Sequence, residues 1–400
     1  MQFGLLSLLL GSALAAPAAS GSGYIVRLAD GTPLESILSS LPDLSSAGVR
    51  PFSIINGFAL PSEAAPLVAV LKLLPGVLSI EDDITMFASA TQSNAPWGLQ
   101  RISTQSRVAS TTGTPNEKLP AYTYTYNENF AGQGVDVYVV DTGIRCSHSA
   151  FEGRALCPSD GNLFDGGVNV DDNGHGTHCA GTVGSSLYGV SKKVQLVGVK
   201  VLGADGSGAT SNIILGIQYA VERSQASGKN SVISMSLGGG ASSALDAAVK
   251  AATTNGVHVA VAAGNENQDA NNVSPARAGL NSAVVCVGAH DITDARASFS
   301  NYGTPVTVFG PGVNTLSTWF RSDTDSNVIS GTSMATPHTA GVLAYYLSDP
   351  SYSAFSPAEL KQVLVGKSQK GVIALGKTKG LLGLFAEEVS KTTVNNLLQL

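Results

Sequence analysis

From residue 23 onward, apolar and polar positions sort into short blocks that read alternately as strands and helices. Gly23 to Leu28 reads as a strand and residues 33–41 as a helix. Residues 51–60 read as two strands broken at Gly57, residues 62–74 as a second helix, and residues 77–80 as a closing strand. Beyond residue 130 the apolar runs become denser. They predict strands over 135–140, 194–202, 232–236, 257–262, 283–287 and 306–309. Between them, helix-compatible stretches cover 176–186, 211–227, 243–255, 332–348 and 357–366.

The first set, β-α-β-β-α-β, is the order of the ferredoxin-like split arrangement, a small α+β unit expected over residues 17–88. The second set alternates strand and helix. That is the pattern of an α/β domain with a mostly parallel open sheet and helices on both faces, expected over residues 89–400. Ahead of both, residues 1–16 have an apolar Leu5 to Leu10 centre and an Ala13-Leu-Ala15 exit. This is a signal peptide in outline, although its n-region lacks Lys or Arg. It is too short to anchor in a membrane, and no later apolar run is long enough to span one, so a secreted, soluble monomer is expected. Residues 86–93 pass from apolar to polar, and a cleavage is expected there, between Phe87 and Ala90.

With 43% hydrophobic residues, 45 glycines and 13% charged residues in 400, the chain can bury a sizeable core within a loop-rich fold. A net charge of −6 excludes a phosphate-tracking surface, so no nucleic acid partner is expected. Four cysteines suit an oxidising compartment but not a disulfide scaffold. Cys146 and Cys157 bracket a loop of about ten residues, and a disulfide is expected between them. Cys286 lies in a buried-strand pattern and reads as a packed small apolar group. Asn272-Val-Ser274 is a glycosylation sequon.

The candidate chemistry centres on Gly331-Thr-Ser-Met-Ala-Thr-Pro-His338, which opens the helix over 332–348. Ser333 is thereby delivered to unpaired N–H groups and the positive dipole end, with Pro337 expected in the first turn. A hydroxyl so placed can be a nucleophile, or merely a helix cap, and partners decide between them. Asp141-Thr-Gly143 ends a strand, and Asn173-Gly-His-Gly-Thr-His-Cys-Ala-Gly181 places His175 between two glycines at a helix start. The chain order Asp, His, Ser is that of subtilisin. These three blocks resemble the signatures of the subtilase family, and the closer resemblance is to the proteinase K-like branch secreted by filamentous fungi. It runs from Ala95-Pro-Trp-Gly98 to the C-terminus. A seven-residue match such as Gly331 to Pro337 has chance odds on the order of 10⁻⁸ per position.

The resemblance implies a serine endopeptidase with Ser333 as nucleophile, His175 as base and Asp141 orienting the imidazole. It implies that Asn265, after Gly264, joins the Ser333 N–H in binding the oxyanion. Gly206-Ser207-Gly208 and Ser236-Leu237-Gly238 would flank an extended peptide or protein substrate, with Ala262, Ala263 and Gly264 lining an uncharged pocket for bulky apolar residues. Residues 17–88 resemble the inhibitory propeptide of subtilases, including Asn56-Gly-Phe-Ala59, which makes the chain a self-processing zymogen inhibited by its own propeptide. No cofactor is required for this chemistry. Calcium is the family's usual structural ion, yet Thr307 stands where the proteinase K pattern offers an aspartate ligand. Asp171, Asp172 and Asp291 are further carboxylates that could serve ions. His175-x-x-His178 is not a zinc motif, and His178, His148 and His338 read as structural. Two other classes fit less well. A catalytically silent binding protein would be expected to have lost one of these four residues. An esterase would carry its Asp and His after the serine.

Overall fold

The computed structural model describes residues 23–41, 43, 47–52, 54–83, 89–108, 120–377, 388–389 and 392–400. The predicted signal segment, and Phe87 and Ala88 at the expected cleavage window, lie outside the described residues. The chain divides into two compact units, residues 1–88 and 89–400.

The first unit contains β1 (Gly23–Leu28), α1 (Leu34–Ser40), β2 (Arg50–Phe52), β3 (Gly57–Pro61), α2 (Ala65–Leu71) and β4 (Val77–Asp82). Its strands pair antiparallel in the order β2-β3-β1-β4, which is the split arrangement the element order predicts. Val26, Leu28, Phe58 and Leu60 meet Ile37 and Leu71 from the helices to form its core. The second helix is shorter than expected and is preceded by a 3₁₀ turn at Ser62–Ala64. Pro75 disfavours helical backbone at Leu74, so the last turn unwinds.

The second unit is built on β5 (Asp136–Asp141), β6 (Gln195–Lys200), β7 (Ser231–Met235), β8 (His258–Ala262), β9 (Val285–His290) and β10 (Val306–Pro311). These pair in parallel in the order β10-β9-β8-β7-β5-β6, with short strands added at both edges. Along β5, Val137 and Val139 enter one core while Tyr138 and Val140 enter the other. Both faces are covered, which is why the strands read as continuous apolar runs. The chain leaves β5 for β6 on one side and returns to β7 on the other, so a crevice opens at the carboxyl ends of β5 and β7.

The main helices are α3 (His175–Gly184), α4 (Thr210–Ser227), α5 (Ser243–Thr254), α6 (Thr332–Ser348) and α7 (Pro357–Lys367). Helix α6 runs through the interior, and along it only Ser333, Tyr345 and Ser348 are more than slightly exposed. Pro337 is its sixth residue, inside the helix rather than in the first turn. β9 starts two residues later than its apolar run suggested. The Val284 N–H is taken by the Ser282 hydroxyl at 3.1 Å, which keeps 283–284 in a loop. Three polar strand pairs escaped the sequence reading: Ser89–Ala95 with Tyr122–Asn127, Gly239–Gly240 with Val273–Ser274, and Thr315–Thr318 with Ser326–Ile329. Among the described residues no helix is long and apolar enough to cross a membrane.

One buried ion pair ties the start of this unit to its later part. Arg101, fully buried on the helix Trp97–Ser103, meets Asp294 at 2.8 Å through Nε and Gln369 Oε1 at 2.7 Å through Nη2. Removing one partner strands a charge in the interior. D294A is therefore expected to cost about 3–5 kcal/mol, read as a fall in the thermal unfolding midpoint.

Candidate active site

Asp141 ends β5 with its side chain buried. Its Oδ1 accepts the Thr142 N–H at 2.8 Å and lies 2.7 Å from Nδ1 of His175, the first residue of α3. The approach needs Gly176: a Cβ there would sit 2.1 Å from the Gly143 carbonyl oxygen and 3.2 Å from the Asp141 Cβ. The turn before α3 is gathered by Asp171. Its Oδ1 accepts from the Thr142 hydroxyl at 2.8 Å and from the N–H groups of Asn173 at 3.0 Å and Gly174 at 2.8 Å. Its Oδ2 accepts from the Thr177 N–H at 2.9 Å and hydroxyl at 2.5 Å. A carboxylate at a helix N-terminus is in its favoured place.

Asp171 is thus a positioning residue that the sequence reading took only for an ion ligand. The Asp-Asp-Asn-Gly run just before a helix was the available signal. Asp172 is equally committed, to Lys200 Nζ at 2.7 Å, while Lys200 also donates to the Thr142 carbonyl at 2.9 Å. Asp291 Oδ1 accepts from Thr293 and Ala295.

Ser333 is the second residue of α6. Its hydroxyl donates to the Ser236 carbonyl at 3.0 Å, not to His175. The Ser236 hydroxyl in turn donates to the Ser333 carbonyl at 2.8 Å, and the Cys179 thiol reaches the same oxygen at 3.5 Å. That carbonyl is free for them because Pro337, four residues on, has no N–H. Asn265 follows Gly264, whose φ of +100° suits glycine alone and whose Cβ would meet Asn301 Nδ2 at 2.3 Å. Asn265 Oδ1 is held by the Thr332 N–H at 2.8 Å and hydroxyl at 3.0 Å. The Nδ2 amide is the end left for a ligand.

His175, Asn265 and Ser333 line one cleft of about 460 Å³, together with Gly206, Ser207, Gly208, Ser236, Leu237 and Gly238. A smaller hollow of about 70 Å³ beside Ser333 is lined by Ala262, Gly264, Val273 and Glu266, among others. Two expectations change here. Ala263 is not on the wall: its N–H continues the sheet to Val287 O at 2.9 Å, and the pleat turns its side chain into the core. Nor is the wall uncharged, because Glu266 brings a carboxylate, steadied at 2.6 Å by Asn301 Nδ2.

Burial is the largest single influence on His175 and opposes its charge, but Asp141 and Cys179 beside it together outweigh burial and hold the imidazole pKa well above its usual 6.5. Burial raises the Cys179 thiol pKa, against the lowering effect of His175 beside it. Asp141, His175 and Cys179 bring one ligand atom each to within 4.8 Å of one another. Burial pushes His178 down to about 3 and His338 to about 4, and both bond backbone carbonyls, Thr315 O at 3.0 Å and Met334 O at 2.8 Å. His148 is bound by Asp325 O at 2.8 Å and the Ala150 N–H at 3.2 Å. Cys146 and Cys157 form a disulfide, whereas Cys179 and Cys286 are free and buried. Asn272 is exposed, and Ser274 of its sequon is buried.

An open parallel sheet that brings Asp141, His175 and Ser333, in that chain order, to its carboxyl edge defines a subtilisin-like serine protease. The chain belongs to the subtilase family, whose profile, described as Subtilase family, matches residues 132–386. It is 46% identical over 324 residues to the subtilisin-like serine protease Rho m 2.0101 of Rhodotorula mucilaginosa, covering 77% of this chain and 91% of that protein. It is 45% identical to proteinase R of Parengyodontium album, covering 81% of this chain and 79% of that one. The crystal structure of a cold adapted subtilisin-like serine proteinase superimposes with a TM-score of 0.62 at 40% identity, covering 77% of this chain and 98% of that one.

The His175 shift has a definite sign. A raised folded-state pKa stabilises the fold fully below the unfolded value near 6.5 and is lost as pH climbs through the folded value. An NMR titration of the ring should place its midpoint above 6.5. In D141N the carboxylate that most strongly favours the charged ring is gone while burial remains, and the midpoint should fall relative to the unmodified protein.

Proposed function

We propose that this subtilase is an extracellular endopeptidase, made as a zymogen, that cleaves proteins through Ser333, His175 and Asp141. The observation that carries the reading is the cleft shared by His175, Ser333 and Asn265, with Asp141 hydrogen-bonded to the far nitrogen of the imidazole. A substrate strand laid along 236–238 offers its own N–H to the Ser236 carbonyl. That displaces the Ser333 hydroxyl, and a χ1 change swings Oγ toward His175 Nε2. Oγ then bonds to the scissile carbonyl carbon while its proton passes to Nε2. The carbonyl electron pair moves onto oxygen, where the Ser333 N–H and Asn265 Nδ2 receive it. As the C–N bond breaks, the imidazolium gives its proton to the leaving amine. Water repeats the sequence on the acyl-enzyme.

Residues 17–88 act as the inhibitory propeptide, a reading supported by the β2-β3-β1-β4 sheet and the Asn56 to Ala59 segment. Secretion is supported by the apolar leader and by the Cys146–Cys157 disulfide. The small hollow accepts apolar residues before the cut, and Glu266 at its wall adds tolerance for Lys and Arg.

Two measurements test this. S333A should accumulate as full-length precursor and fail to hydrolyse casein, and unaided maturation of that variant ends the assignment. N265A should mature slowly and lose about 10²–10³-fold in kcat on a chromogenic peptide. For the specificity, E266Q should lower kcat/KM for a Lys-terminated peptide relative to its Leu counterpart. An unchanged ratio removes Glu266 from the pocket's chemistry.

A further inference from the structure

The resemblance to the proteinase K branch implies a calcium ion with a carboxylate ligand at position 307, and the residues present do not fit one. Thr307 has no carboxylate, and its hydroxyl oxygen accepts the Cys286 N–H at 3.2 Å. Close by, the loop that leads into β9 does aim backbone oxygens at a common point. That point holds an ammonium. Lys361 Nζ donates to the carbonyls of Gly279 at 3.0 Å, Ser282 at 2.9 Å and Val284 at 2.8 Å. Three carbonyls match the three protons of an ammonium, which has no lone pair left for anything else. Calcium takes about six to eight oxygens, carboxylates among them, at 2.3–2.6 Å. Here three neutral carbonyls already surround a positive charge at hydrogen-bond distance.

Lys361 is aimed there by its helix. The start of α7 is fixed by a capping box, in which the Ser356 N–H donates to Glu359 Oε2 at 2.8 Å and the Ser356 hydroxyl accepts the Glu359 N–H at 3.4 Å. Leu360 and Leu364 are fully buried and set the rotation of the helix. Burial lowers the Lys361 ammonium to about 8, which leaves it protonated at neutral pH.

We propose that the Lys361 side chain is a built-in replacement for a structural cation, clamping loop 279–284 to α7 so that this part of the fold assembles without calcium.

The test is thermal unfolding of the mature protein, with self-digestion blocked by phenylmethylsulfonyl fluoride, in excess EGTA and in millimolar calcium chloride. The unfolding midpoint does not depend on the catalytic assignment. The unmodified protein should unfold at the same midpoint in both buffers, since a bound ion would raise it. K361M, which keeps the stem but removes the ammonium, should unfold several degrees lower in EGTA, with casein hydrolysis at room temperature unchanged. K361Q, which keeps two donors and no charge, should fall between. A K361M midpoint equal to that of the unmodified protein would overturn the proposal. So would a rise of several degrees on adding calcium to the unmodified protein.

Discussion

The hydrogen bond between Asp141 and His175 is the contact on which the rest of the large unit converges. One partner ends a strand buried on both faces, and the other begins a helix. Neither element could bring the two side chains together without a third party. Asp171 supplies it by collecting five donors from the strand end, the turn and the first helical turn into one buried carboxylate. The absent side chain at Gly176 then lets the helix close on the strand. Position is set by backbone geometry and a buried anion, and the imidazole inherits it.

Much of this architecture was legible in the sequence, because strands covered on both faces must be apolar throughout. The run from 135 to 140 announced β5 and, at its end, Asp141. The polar pairs were invisible for the converse reason: Gly239–Gly240 and Thr315–Thr318 are held by backbone hydrogen bonds and leave no apolar alternation to read. Pro337 was misplaced because first-turn prolines are the common case. Here tertiary donors from Ser236 and Cys179 occupy the carbonyl its ring leaves open, so an interior proline is tolerated.

The site showed the same division. Asp141, His175, Asn265 and Ser333 sit in motifs whose residue types announce chemistry, and the fold brings three of the four into a single cleft with Asp141 directly behind the imidazole. Glu266 and Lys361 did not stand out, because an isolated acid or lysine reads as surface charge until its neighbours are known, and Asp171 stood out only as a carboxylate that could serve an ion. Their partners lie between 3 and 82 positions away, at Gly174, Asn301 and Gly279. No local pattern encodes the two longer separations. Ala263 erred in the opposite direction, since a one-residue step along a strand exchanges wall for core.

The ring at 337 has an effect that reaches past its own helix. By withholding one amide proton, it turns the Ser333 carbonyl into an acceptor for side chains on two other elements, one of them bordering the cleft. Any residue with an amide proton at this point would compete for the same oxygen, adding a rung to the helix while loosening the grip on that border. In this molecule, local regularity has been given up at one rung, and Ser333 is tied to the strip at Ser236 by two hydrogen bonds in exchange.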